Sequence, residues 1–225
     1  RKHGGEWLLA FEEPESLKER LEKFGLPPLP PYIKRNNASE IQNAEDRERY
    51  QTCFASKPGA IAAPTAGLHF TPEILDSISS RGVEILEVTL HVGLGTFKPI
   101  EKEDIREHNM HSEYFSISSN SLCKLASFKR LKKPIICIGT TSVRVLETLA
   151  QNNFENNSGW TDLFIYPPYN FSMVQGLFTN FHLPKSTLLI MVSAFYGRKK
   201  LLEAYCAAVE EKYRFFSYGD CMLIL

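Results

Sequence analysis

The sequence predicts an α/β protein, a mixed sheet flanked by helices, with a separate small segment at its N-terminal end. Three observations carry this. From about residue 44 onward, short apolar runs alternate with stretches whose apolar residues recur at helical spacing. Pro134–Gly139 is an apolar run ending in a glycine and followed by three hydroxyl residues, the pattern of a strand that turns directly into a helix. Before that region, Leu26-Pro27-Pro28-Leu29-Pro30-Pro31-Tyr32 places four prolines in five positions, which forbids helix and central strand alike and marks a stiff connector at a domain boundary.

Taken in order, residues 1–11 read as a turn and a strand, since Trp7-Leu8-Leu9-Ala10-Phe11 follows Gly4-Gly5 at once. The chain opens without an initiator methionine, so this strand reads as entered from an earlier turn. Residues 14–24 suit an amphipathic helix, with Leu17, Leu21 and Phe24 on one face and Gly25 as its stop. A helix is expected over 45–55, with Tyr50 and Phe54 four apart, then a short strand at Ile61–Ala63. Thr71 as N-cap, Pro72 at the first helical position and Glu73 in the first turn start another helix. Strands follow at 83–90 and 114–117, a helix at 121–131, the strand at 134–139 and a helix over 142–151. Leu163–Tyr166 reads as a strand, Leu188–Phe195 as a helix capped by Ser186, 198–213 as a helix and Met222–Leu225 as a closing strand.

The bulk properties narrow the function classes. The 225 residues, 43% hydrophobic, are enough for a packed core. Lys+Arg and Asp+Glu each total 26, and this balance argues against a protein that coats long polyanions, while leaving room for a local basic patch gripping one stem-loop. Five scattered cysteines, none in CxxC spacing, suggest reduced thiols and neither a disulfide framework nor a zinc knuckle. No apolar run reaches the ~20 residues of a membrane span and no signal-peptide pattern is present, so a cytoplasmic monomer without a membrane partner is expected.

Six segments look like chemistry, and each has a bland counterpart. Gly139-Thr140-Thr141-Ser142-Val143-Arg144 sets free N–H groups and hydroxyls where a carboxylate or phosphate would bind, although Thr141 or Ser142 could simply cap the helix. Pro64–Phe70 carries His69 near a helix start, where it suits proton transfer or a structural hydrogen bond. Gly93-Leu94-Gly95 lacks the third glycine of a dinucleotide fingerprint, and Lys98-Pro99 blocks a helix. His108, His111 and Glu113 invite a metal, yet zinc needs a further ligand; hydrogen bonding or acid–base work fits better, and no metal is expected. Thr179-Asn180-Phe181-His182-Leu183-Pro184 has the make-up of a functional loop, or of an ordinary turn. Tyr213–Asp220 interleaves aromatics with Arg214, suited to stacking on unpaired bases or to core packing around Gly219-Asp220.

AAPTAGLHFT (Ala62–Thr71), TLHVGLGTF (Thr89–Phe97), HNMHSE, GTTSVR, TNFHLPKSTLL, VSAFYG and YRFFSYGD, read together with LPPLPPYIKR and RYQTCFA, resemble the S-adenosylmethionine:tRNA ribosyltransferase-isomerases of queuosine biosynthesis, in order along nearly the whole chain. The resemblance implies transfer of the ribosyl portion of S-adenosylmethionine onto the aminomethyl group of a 7-deazaguanine at the tRNA wobble position. The sugar is isomerised to an epoxycyclopentanediol, giving epoxyqueuosine, and adenine and methionine leave. S-adenosylmethionine is then a co-substrate, and tRNA the partner. The resemblance also implies two domains, with residues 1–30 the C-terminal part of an inserted small β-barrel and 31–225 the α/β catalytic domain, and an N-terminal segment missing here.

In that chemistry a base removes a proton beside the sulfonium and an acid helps adenine depart. His69, His111, Glu113, His182 and Asp220 are the candidates for catalytic or positioning roles, and Gly139, Thr140, Thr141, Ser142 and Arg144 for holding an anionic group of the co-substrate or the RNA. Arg214 and the Lys129-Arg130-Lys132-Lys133 cluster are candidate phosphate contacts, the latter also readable as a solvated helix end. Pro168 stands where the family usually has glycine, and Gln175 where an aspartate is common. The competing expectations are a truncated, non-catalytic remnant that still binds tRNA, and a methyltransferase, whose usual Gly-rich loop is missing.

Overall fold

The computed structural model describes residues 10–13, 16–35, 40–93, 95 and 99–225. The strand expected over residues 1–11 falls almost entirely outside the described residues; the described part of the expected barrel remnant, residues 10–13 and 16–30, holds one helix and no strand.

Helices α1 (Leu17–Phe24) and α2 (Glu40–Arg49) precede the core. Tyr50 and Phe54, expected on α2, lie beyond its end. Then come a 3₁₀ turn (Thr65–His69), α3 (Pro72–Ser80), β1 (Val88–Leu90), β2 (Glu113–Ile117), α4 (Ser119–Arg130), β3 (Ile136–Ile138), α5 (Gly139–Gln151), β4 (Ser158–Thr161), β5 (Gly176–Asn180), α6 (Thr187–Tyr196), α7 (Arg198–Glu210) and β6 (Cys221–Ile224). The strands form two small sheets: an antiparallel one in the order β1-β2-β4, and a mixed one in the order β3-β5-β6, with β3 and β5 parallel and β6 antiparallel to β5.

The expected α/β architecture is present, with differences of detail. Thr71 accepts from the Ile74 N–H with Pro72 behind it, and Ser186 accepts from Leu189 N at 3.1 Å, so both expected helix starts are real. Ile61–Ala63 is not a strand, although Ile61 N donates to Val92 O. Leu163–Tyr166 is apolar but irregular, because the Leu163 carbonyl is taken by an arginine and not by a neighbouring strand. Only Val88–Leu90 of the strand expected over 83–90 pairs, against β2.

Helix α5 is the centre of the packing. It contacts β3 and β5 on one side and β1 and β4 on the other. Val143, Val145, Leu146, Leu149 and Ala150 are all buried, together with Thr148 and Glu147. The helix is enclosed along nearly all its length, with Gln151 at its C-terminal end exposed. Its one carboxylate inside, Glu147, accepts from the backbone N–H groups of Ser172 and Met173 (3.0 and 2.9 Å), from Ser172 Oγ and from the Tyr169 hydroxyl, so the burial of that charge is matched by donors.

Candidate functional site

Parallel β3 and β5 both end at one edge of the mixed sheet, and β6 begins there, since Cys221 pairs with Asn180. Ligands of open α/β sheets collect at such carboxyl ends. Three segments converge on this edge: the start of α5, the 3₁₀ turn that ends in His69, and the 213–220 loop.

The passage from β3 into α5 has no loop at all. Gly139 takes φ +83°, a conformation that strains any residue with a Cβ, and a Cβ there would also sit 3.3 Å from Thr141 Oγ1 and 3.6 Å from the methyl of Ala66. The residue in the cap position is Ile138, which has no side-chain oxygen for the first N–H groups of α5. Ser142 Oγ does not serve them, because it donates back to Ile138 O at 2.8 Å. Gly139, Thr140 and Thr141 thus head a 13-residue helix without a side-chain cap. That is an arrangement suited to an anionic group.

His69 lies beside the same edge, with its ring edge-on to Phe178 of β5. Its Nε2 is 3.1 Å from Asn180 Nδ2. Asn180 in turn receives Thr65 Oγ1 on its carbonyl oxygen (3.2 Å) and donates to Phe216 O (3.3 Å). Burial lowers the His69 pKa, the nearby Asp220 carboxylate works against this and Arg214 with it. Asp220 is held by Arg214, accepting from its backbone N at 2.6 Å and from Nη2 at 2.9 Å, and these bonds keep its carboxyl below the ordinary range. The loop is strapped from the N-terminal side: the Tyr32 hydroxyl bonds Ser217 Oγ, and Tyr218 donates to Asp46, itself paired with Arg35.

The other candidates lie elsewhere. Along β5, successive side chains point to opposite faces, so Thr179 and Asn180 look in opposite directions. Thr179 meets His182 Nε2 at 2.7 Å on the face toward α7, where the Tyr205 hydroxyl accepts from His182 N, and burial lowers the His182 pKa to about 4. Arg144 and Glu113 form a buried ion pair between α5 and β2. Arg144 also donates to Leu163 O (3.1 Å) and Thr161 O (3.2 Å), and Glu113 accepts from Gly93 N at 2.8 Å. The guanidinium expected to hold an anion is therefore engaged by protein acceptors. His111 is exposed and packs closely on Gly95, while His108 is edge-on to Phe164. Among the described residues no group of three or more His, Cys, Asp or Glu side chains could hold a metal.

Lys129 and Lys133 lie over the rings of Phe154 and Phe128, and Arg214 is tied to Asp220. Gln175 Oε1 accepts from Ile135 N at 2.8 Å, a purely structural contact at the start of β3. A groove of about 470 Å³ between α7 and β6, lined by Phe181, Leu201, Tyr213 and Met222 among others, includes none of the candidates. No helix among the described residues is long and apolar enough to cross a membrane. Asn180 was not among the expected site residues: it stands two residues before His182 in the Thr179–Pro184 motif, and nothing in the sequence ties it to His69, 111 residues away.

Residues 1–224 match the family model described as "Queuosine biosynthesis protein". The chain is 54% identical over 211 residues to the S-adenosylmethionine:tRNA ribosyltransferase-isomerase of Sulfurihydrogenibium sp., covering 94% of this chain and 61% of that protein. It is 51% identical over 222 residues to the protein of the same name from Acetivibrio thermocellus, covering 98% and 63%. The crystal structure of S-adenosylmethionine tRNA ribosyltransferase from Thermotoga maritima superposes with a TM-score of 0.58 at 44% identity, over 71% of this chain and 51% of that one. The chain thus spans 61–63% of the length of these curated relatives.

Proposed function

We propose, because the chain belongs to the queuosine biosynthesis protein family, that it transfers and isomerises the ribosyl moiety of S-adenosylmethionine onto 7-aminomethyl-7-deazaguanine at the wobble position of tRNA, releasing adenine and methionine. The observation that carries this reading is the convergence of His69, Asp220 and the uncapped start of α5 at one edge of the mixed sheet, inside a chain that matches the family over residues 1–224.

The geometry supports the following division of labour. The N–H groups of Gly139, Thr140 and Thr141 hold an anionic group, the methionine carboxylate of the co-substrate or an RNA phosphate, with Thr141 Oγ1 at hand as a further donor. His69 and Asp220 face the reacting portion. His182, turned to the α7 face, and Arg144 with Glu113, paired in the core, shape the site from behind. The protein works in the cytoplasm on its tRNA as a monomer.

The test is adenine release from S-adenosylmethionine in the presence of tRNA bearing the aminomethyl-deazaguanine. Stoichiometric adenine and methionine support the reading. S-adenosylhomocysteine would point to methyl transfer instead. The shorter span relative to the curated proteins favours one second reading, a tRNA-binding form without turnover, which predicts salt-dependent tRNA binding with no adenine release.

A further inference from the structure

We infer that Asn180 is a positioning residue that locks His69 in the Nδ1–H tautomer, so that this imidazole meets the substrate as a hydrogen-bond donor and not as a base. The inference rests on the proposed placement of His69 at the reacting end of the site.

The orientation of the Asn180 amide decides the matter, and its surroundings fix that orientation. Phe216 O can only accept. It already takes Gly219 N at 3.0 Å and receives Asn180 Nδ2 as its second donor. The loop cannot move away from it, because Phe216 N donates to Phe181 O at 3.0 Å. Turning the amide over would set Oδ1 against this carbonyl oxygen. With Nδ2 directed at Phe216, the Thr65 hydroxyl donates to Oδ1, and the second N–H of the same Nδ2 reaches His69 Nε2. That nitrogen must then accept.

A neutral imidazole with Nε2 as acceptor carries its proton on Nδ1. Among the described residues nothing accepts from Nδ1. Protonation of Nε2 would place two donors face to face, so Asn180 opposes the imidazolium, in the same direction as burial and Arg214 and against Asp220. Asn180 is itself 3% exposed and pinned at the end of β5 by its pairing with Cys221, so it does not yield. A neutral imidazole N–H is well suited to polarise or stabilise an acceptor atom as negative charge grows on it. The acceptor would be a ring nitrogen of the departing base or an oxygen of the sugar.

The experiment uses the complete chain with ¹⁵N-labelled histidine, and two-bond ¹H–¹⁵N spectra in which His69→Gln assigns the ring. We expect His69 of the unsubstituted protein to show a protonated Nδ1 and a bare Nε2 at pH 7. In Asn180→Asp the new carboxylate accepts from Nε2, which should reverse the tautomer or protonate the ring, with the titration midpoint raised by more than one unit. An Nε2–H signal in the unsubstituted protein overturns the inference without need of any variant. So does an Asn180→Asp ring with unchanged tautomer and midpoint. In the adenine-release assay, Asn180→Asp should lower kcat at least tenfold with KM for S-adenosylmethionine within threefold. A reversed tautomer with unaltered kcat would overturn the catalytic part. Lack of turnover by the unsubstituted protein would count against the proposed reaction alone, since the ring spectra decide the tautomer without it.

Discussion

Replacing Arg144 by methionine gives the sharpest test of how this core is built. Both partners of the Arg144–Glu113 pair are enclosed, with side chains 5% and 3% exposed. Removing one member of a buried pair costs about 3–5 kcal/mol, because the remaining charge is left in a poor solvent. The same substitution strips a donor from Leu163 O and from Thr161 O, at about 1 kcal/mol each at the low end of that penalty. Arg144→Met should therefore lose roughly 5–7 kcal/mol, comparable with the whole stability of many domains. Urea unfolding followed by tryptophan fluorescence measures it, with Arg144→Lys as a milder partner that keeps the charge but loses the fork. The double variant Glu113→Leu/Arg144→Met removes both charges and should recover most of the loss, to within about 2 kcal/mol of the parent. A single-variant cost below about 1 kcal/mol, accompanied by weakened S-adenosylmethionine binding, would refute the structural role and restore Arg144 as an anion ligand.

Three further outcomes are expected. His182 titrates at about 4 when folded against 6.5 when free, so its contribution is intact above pH 6.5 and is lost as pH falls toward 4, by about 3 kcal/mol in all. Urea midpoints measured across that window should fall less steeply in His182→Gln, and parallel curves would show that the ring does not resist protonation. Ser186→Ala, which deletes the α6 cap, should cost about 1 kcal/mol with the unfolding slope unchanged. Glu147→Gln turns an NH₂ group toward the Ser172 and Met173 donors and should cost about 1–3 kcal/mol, seen as a lowered Tm; a neutral result would mean that those amides find other acceptors.

Local chemistry was legible wherever it acts within a few residues. The Thr71-Pro72 start of α3, the Ser186 cap of α6 and the β3-to-α5 transition at Gly139 are encoded by their neighbours, and all three are present. What escaped depends on partners far along the chain. Strand β4, Ser158–Thr161, has no apolar alternation and exists because β2 offers it a register. Strand β5 carries the TN of a motif that read as a loop. Leu163–Tyr166 has strand composition, yet no strand pairs with it. The site divided in the same way. The helix start at Gly139–Ser142 lies in a motif that the sequence marks out, and so do His69 and Asp220 taken singly, but their nearness to each other does not follow from the sequence. The Glu113–Arg144 pair, 31 residues apart, and the alternation that parts His182 from His69 needed the fold itself.

The straps around the site span most of the chain: His69 meets Asn180 across 111 residues, and Tyr32 meets Ser217 across 185. No short fragment of the molecule can present these groups together, so the site exists only when the chain from Tyr32 to Ser217 has folded as one, and a ligand bound there is linked to that global transition and not to a local one. At a hundredfold excess over its Kd, such a ligand adds about 2.7 kcal/mol to the unfolding free energy. Amides beside the proline connector and amides of the 213–220 loop would then slow their hydrogen exchange together, by the same factor. Proteases that cut near Pro30 would be held off by a small molecule bound at the far end of the sequence.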